Sequence, residues 1–259
     1  GAGFIGHGII ESLLDRTDYK VITLDRLDPA ANLSRIDSIL KKNKNYKDRL
    51  EVVWHDLKAP LSKFVIDKLD GVTHILHLAA GSHVNRSIKY PLEFVFDNVV
   101  GTCNLLEYAR NYAKNLELFL YFSTDEVFGP APEGIVFDEN SRYNGCNPYS
   151  ATKAGAEELC NAYFNTYNLP IVVTHTMNVY GPSQHEEKFI PLCIKKILNN
   201  DIVDIHTDQS GEKTSSRCYL YLEDIADAIL FLMKNFKLGE KYNIAADNET
   251  SALEMVKKI

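Results

Sequence analysis

Gly1-Ala-Gly-Phe-Ile-Gly6 runs straight into the apolar-periodic segment Phe4–Arg16, and Val21-Ile-Thr-Leu-Asp25 follows. Glycines at this spacing permit a tight turn and let backbone N–H groups approach a pyrophosphate at a helix N-terminus. Taken alone, the same pattern describes any glycine-rich turn before a helix. Nineteen residues after Gly6, a β-branched run ends in Asp25, where a dinucleotide fingerprint sets a carboxylate on the adenosine ribose hydroxyls. A carboxylate there repels a 2′-phosphate, so Asp25 points to NAD over NADP, while the neighbouring Arg26 pulls the other way. The fingerprint also calls for a strand before the glycines, and the sequence shows none. The expectation is that the first sheet strand and a preceding glycine are missing, and that the chain, ending at Ile259 inside a helical pattern, also lacks the close of its substrate region.

Working outward, short β-branched runs at 21–25, 51–54, 72–79, 118–123 and 171–176 alternate with helical patterns at 4–16, 92–114, 149–167, 189–198 and 223–236. Such alternation predicts parallel βαβ units. Several runs are apolar at nearly every position, as strands covered on both faces are. The fold class expected is α/β, a doubly wound parallel sheet. Residues 1–176 would form the dinucleotide-binding domain and 177–259 a smaller substrate region, with part of 221–246 returning to the first. Stretches 129–148 and 207–216 are polar and rich in turn residues, and read as loops.

Formal net charge is −7 and the sequence pI near 5.6, which argues against nucleic-acid or anionic-membrane partners. No apolar run approaches the ~20 residues of a membrane span. Cys103, Cys146, Cys160, Cys193 and Cys218 are odd in number and lack CxxC or CxxH spacing. Neither a disulfide framework nor a zinc or other metal site is suggested, and a reducing cytoplasm fits.

Tyr149-Ser-Ala-Thr-Lys153 sets a phenol and an ammonium at i, i+4 on one helix face. A cation so placed can lower the phenol's pKa and let it exchange protons with a hydroxyl group near neutral pH. With fourteen tyrosines, a chance match on a helix surface is common. Placement sharpens the reading, because the strand 118–123 delivers Ser123-Thr124-Asp125-Glu126 to the sheet edge where ligands bind. Thr124 could orient the Tyr149 proton. Adjacent carboxylates split their pKa values, leaving one acid and one base, although both could also be solvated turn acids.

The chain resembles the dTDP-glucose and UDP-glucose 4,6-dehydratases, extended short-chain dehydrogenase/reductases, almost end to end. The matching segments include GAGFIG, LDRLDPAANL, LHLAAGSHVNRS, DNVVGT, STDEVFG, NPYSATKAGAEEL, NVYGP, EKFIP, RCYLYLED and YNIAADNE. The resemblance implies that Thr124 completes the Tyr149 and Lys153 set, that Asp125 is the acid expelling water from C6, and that Glu126 is the base at C5. It implies NAD as cofactor, held by Gly1, Gly3, Phe4, Ile5, Gly6, Asp25, Arg26, Asp56, Leu57, Leu78, Ala79, Ala80, Tyr149 and Lys153, with Asn98 in support. It implies a nucleotide-diphosphate sugar against Ser82, Asn178, Lys188, Phe189, Arg217 and Asn248, where the planar fork of Arg217 suits a diphosphate.

Three positions depart from the family pattern: Gly81 for a usual glutamate, Phe128 for a tyrosine and His175 where many relatives have arginine. His83 reads as structural. A UDP-sugar 4-epimerase or decarboxylase would share the glycines and Tyr149/Lys153 without needing adjacent acids after Thr124. A non-catalytic NAD-binding protein would need neither set. A homodimer in the cytoplasm is expected, paired through helices 92–114 and 149–167, whose Phe94, Val95, Phe164 and Tyr167 exceed one core-facing stripe.

Overall fold

The computed structural model describes residues 1–28, 31–132, 134–208 and 214–259, so the middle of the expected 207–216 loop lies outside the described residues. In chain order the first elements are α1 (Phe4–Arg16), β1 (Val21–Asp25), α2 (Leu33–Lys42), β2 (Leu50–Trp54), α3 (Lys63–Lys68) and β3 (His74–His77). Next come α4 (Val84–Lys89), α5 (Pro91–Phe94), a π-helical turn (Val95–Val100), α6 (Gly101–Asn111), β4 (Leu118–Thr124) and a 3-10 turn (Asp125–Phe128). The chain continues through α7 (Pro148–Tyr167), β5 (Ile171–Thr176), β6 (Asn178–Tyr180), α8 (Phe189–Leu198) and β7 (Ser216–Tyr221). It ends with α9 (Leu222–Asn235), β8 (Lys241–Ile244), β9 (Glu249–Ser251) and α10 (Ala252–Lys258).

The main sheet has the order β3-β4-β5-β8, all parallel, with Thr124 level with Thr176 at the β4/β5 edge. β1 and β2 form a separate parallel pair. The expected single sheet is thus in two pieces, because β1 and β3 share no ladder. β6, β7 and β9 make a small mixed sheet beside the site.

β4 is buried at all seven positions. Phe119 and Tyr121 face a core shared with α3, α6 and α7, while Leu118, Leu120 and Phe122 face α1 and α9. Burial on both faces explains why this strand reads as a continuous apolar run rather than an alternating one. The region 92–114 is not one helix. A π turn, a feature often found at functional sites, interrupts it at Val95–Val100 and aims Asn98 inward.

Candidate active site

The C-terminal ends of β1, β3 and β4 carry the candidate residues. α1 begins at Gly3, whose N-cap position has no side-chain hydrogen bond, so the first N–H groups of the helix are uncovered by side chains. A Cβ at Gly3 would meet nothing within 4 Å, whereas one at Gly6 would stand 2.8 Å from the Gly1 carbonyl oxygen, and one at Gly1 would overlap the Thr23 hydroxyl. The first glycine lets the turn pack on β1, the third lets it close, and the second leaves room above the helix end. Asp25 accepts the Ala2 and Leu27 N–H groups, both at 2.8 Å, which ties β1 to the turn. This cradle fits a dinucleotide pyrophosphate with a ribose on Asp25.

Arg26 behaves differently from expectation. Its guanidinium is engaged by Asp28 and Asp97, and Asp56 lies 4.0 Å away. It is a side chain engaged by carboxylates. Leu57 packs beneath Gly101, and its carbonyl accepts from Asn104 at 2.7 Å. Leu78, Ala79 and Ala80 follow β3. Asn98 holds the end of that segment: its Oδ1 accepts the Gly81 N–H at 2.8 Å, and its Nδ2 donates to the Gly81 carbonyl and to Thr152 Oγ1. Asn98 therefore clamps the Ala79–Gly81 segment to the helix carrying Tyr149.

Tyr149 and Lys153 lie in the first turns of α7. Asn147 caps that helix through a reciprocal pair with Ser150, and Pro148 occupies its first position. The Tyr149 N–H donates to Ser87 Oγ at 3.1 Å, docking the helix start on α4. Burial lifts the Tyr149 phenol above its ordinary range, the Glu126 charge adds to this, and a hydrogen bond with Thr124 opposes it. The sequence reading had Lys153 lowering the phenol. Instead Lys153, 3% exposed, donates to the Phe122 carbonyl at 2.7 Å and lies 4.1 Å over the Tyr121 ring. Its own pKa is lowered to about 8 by burial. The i, i+4 spacing put both groups on one face, but the nearby carbonyl captured the ammonium.

Thr124 caps the 3-10 turn, its Oγ1 accepting the Glu126 N–H at 3.3 Å, so Asp125 and Glu126 point from a fixed turn. Burial raises the Asp125 carboxyl, and the adjacent Glu126 charge raises it further. Both effects favour the protonated form of Asp125, which suits it to carry a proton. Glu126 Oε2 accepts from Asn147 Nδ2 at 3.2 Å. On the substrate side, the charge of Arg217 from β7 acts on Asp125, and that of Glu126 acts on the largely desolvated Lys188 at the start of α8. Phe189 opens α8 and Asn178 opens β6, while Ser82 and Asn248 are exposed on loops.

Two groups of residues were missed by the sequence reading. Asn147 was legible as an Asn-Pro helix start. The buried set around Glu157 was not. Glu157 accepts from Ser123 Oγ and His175 Nε2, each at 2.8 Å, and from the Tyr143 hydroxyl, with Lys241 Nζ at 3.3 Å. His175 and Phe128, two of the departures, pack edge to face at 4.7 Å in this set. It locks the stretch next to Thr124 from behind.

The family model described as GDP-mannose 4,6 dehydratase matches residues 1–259. The dTDP-D-glucose 4,6-dehydratase of Dictyostelium discoideum is 37% identical over 275 residues, covering all of this chain and 60% of that protein. The dTDP-glucose 4,6-dehydratase of Haemophilus influenzae is 36% identical over 267 residues, covering all of this chain and 76% of that one. The crystal structure of the dTDP-glucose 4,6-dehydratase DesIV of Streptomyces venezuelae, which holds NAD, superposes with a TM-score of 0.88 at 32% identity, covering 99% of this chain and 77% of that one. The chain thus spans between about 60% and 77% of the length of these proteins. Matched over residues 1–259 by the family model, and at 36% identity by a relative of which it covers 76%, the chain belongs to the GDP-mannose 4,6 dehydratase family.

Proposed function

We propose that this protein is an NAD-dependent nucleotide-sugar 4,6-dehydratase, a hydro-lyase acting on dTDP-glucose, with UDP-glucose as the other candidate. The observation that carries the reading is the adjacent acids Asp125 and Glu126, held on a turn capped by Thr124 beside Tyr149. NAD, held at the glycine turn, would supply hydride acceptance from C4 and hydride donation to C6. Tyr149, oriented by Thr124, exchanges the proton of the 4-hydroxyl. Glu126 removes the C5 proton, made acidic by the ketone at C4, and Asp125 protonates the departing 6-hydroxyl. Arg217 and Lys188, whose charges interact with this pair, suit the diphosphate. A protonated Asp125 also weakens the negative field on Tyr149, so acid and phenol are coupled.

A domain division at residue 176, with part of 221–246 returning to the first domain, is supported by β8 pairing with β5 in the main sheet. A homodimer is proposed from the apolar side chains exposed on α5 and the π turn. The five cysteines are free thiols, which suits the cytoplasm. Among the described residues no helix is long and apolar enough to cross a membrane.

The test is incubation of the intact protein with dTDP-glucose and with UDP-glucose, followed by mass and NMR analysis of the product. A 4-keto-6-deoxy sugar without net NADH is expected. A C4 epimer with no stable ketone, or no turnover by a folded NAD-bound protein, would sink the dehydratase assignment.

A further inference from the structure

Arg26 follows the ribose-site carboxylate Asp25 directly, where a free guanidinium would welcome a 2′-phosphate. Its donors are committed elsewhere. Nε and Nη2 donate to Asp28 Oδ2 at 3.0 and 2.8 Å, Nη2 donates to Asp97 Oδ2 at 3.0 Å, and Nη1 donates to Asp97 Oδ1. Asp97 comes from the π turn, its side chain only 8% exposed, and also pairs with Lys58 Nζ at 3.3 Å. Gly81 makes room for it, because a Cβ there would lie 3.1 Å from the Phe94 ring and 3.2 Å from Asp97 Oδ2. Around the ribose position stand Asp25, Asp28, Asp56 and Asp97 against Arg26 and Lys58. The field is negative, and the arginine that could offset it is held in a two-carboxylate fork.

Resting on the NAD reading above, we propose that Asp97, with Asp28, is a specificity-determining residue that pins Arg26 away from the ribose and so excludes NADP. Asp25 sets the preference by repulsion, and the Asp97–Arg26–Asp28 fork removes the side chain that could reverse it. The π turn thereby contributes twice to the cofactor site, with Asn98 clamping Gly81 and Asp97 holding Arg26.

Trp54 reports on this corner. It is the chain's one tryptophan, and its indole N–H donates to the Arg26 carbonyl at 3.1 Å. Titrating the intact protein with NAD and with NADP, read by Trp54 fluorescence and by calorimetry, gives affinities independent of turnover. Wild type should prefer NAD. The Asp28→Asn/Asp97→Asn variant should bind NADP at least about tenfold more tightly, the worth of a charged hydrogen bond, with NAD changed by less than about threefold. Adding Arg26→Ala should erase the gain. A double variant with unchanged NADP affinity overturns the proposal, as does a gain that survives Arg26→Ala, which would assign the effect to Lys58. Should the double variant unfold, Asp28→Asn alone should give a gain of about threefold, appropriate to a partly exposed pair, and no gain overturns the proposal. A folded wild type that binds neither nucleotide overturns the dinucleotide reading and this assignment together. A wild type that binds NAD beside an unresponsive double variant overturns this assignment alone.

Discussion

Replacing Asp125 by Asn removes the proton carrier while leaving Tyr149 and Thr124 in place. Oxidation at C4 should continue and loss of water should slow by ~10²–10⁴, the usual contribution of one general acid. Rapid-quench analysis of the intermediates would show it, and unchanged turnover in both Asp125→Asn and Glu126→Gln would favour an epimerase. Lys153 supports a different measurement. Its pKa is lowered from 10.5 to about 8, so below pH 8 the fold carries a buried ammonium that the unfolded chain solvates. The unfolded state binds the extra proton between about pH 8 and 10.5, so this group makes stability rise with pH across that window. Lys153→Met should therefore stabilise the protein at pH 7 by roughly 1–3 kcal/mol, an effect fading toward pH 10.5, while abolishing turnover. Urea denaturation of both proteins at pH 7 and 10 tests the sign.

α7 is set by its first turn. Asn147 does two jobs there, capping the helix at Ser150 and donating to Glu126. Asn147→Ala should cost about 0.5–2 kcal/mol of stability, the usual worth of an N-cap, and also reduce kcat. Asn147→Ser keeps a capping oxygen but cannot reach Glu126, so its melting temperature should recover while kcat stays low. Recovery of both would mean that the Glu126 contact carries no catalytic weight. The π turn acts at the same level, since a regular helix through 95–100 would rotate Asp97 and Asn98 away from Arg26 and Gly81.

Quaternary structure depends on which apolar residues the fold leaves uncovered. Phe94, expected on the pairing surface, is 2% exposed beneath Gly81, and Phe164 packs on the core beside α6. Leu92 at 71% and Phe96 at 51% exposure take their place, with Val95 and Tyr167 as expected. Large apolar side chains left uncovered on α5 and the π turn are the surface on which the proposed pairing would be built. Leu92→Arg/Phe96→Asp should convert a dimer into a folded monomer at micromolar concentration by light scattering. A wild type that is already monomeric there contradicts the pairing.

The local periodicities sufficed for the α/β class, for β1, β2, β4 and β5, and for α1 and α7, because each follows from side chains a few residues apart. The glycine turn, Asp25 and the motifs 123–126 and 149–153 were legible for the same reason: each is a short segment whose chemistry is local. Tertiary structure alone decided the rest. The split of 92–114 at a π turn is invisible to helical spacing, because one extra residue per turn shifts the apolar face without ending the helical pattern. Lys153 could have bonded the phenol by spacing, but the Phe122 carbonyl, brought beside it by the β4–α7 packing, competes for the ammonium and wins. Beside Asp25 alone, Arg26 blurs the preference for NAD, and only the fold shows that Asp97, 71 residues away, holds its guanidinium. Glu157, Ser123, Tyr143 and His175 meet only because four elements converge behind β4. A buried carboxylate must find donors wherever the fold supplies them, and sequence separation carries no trace of that requirement.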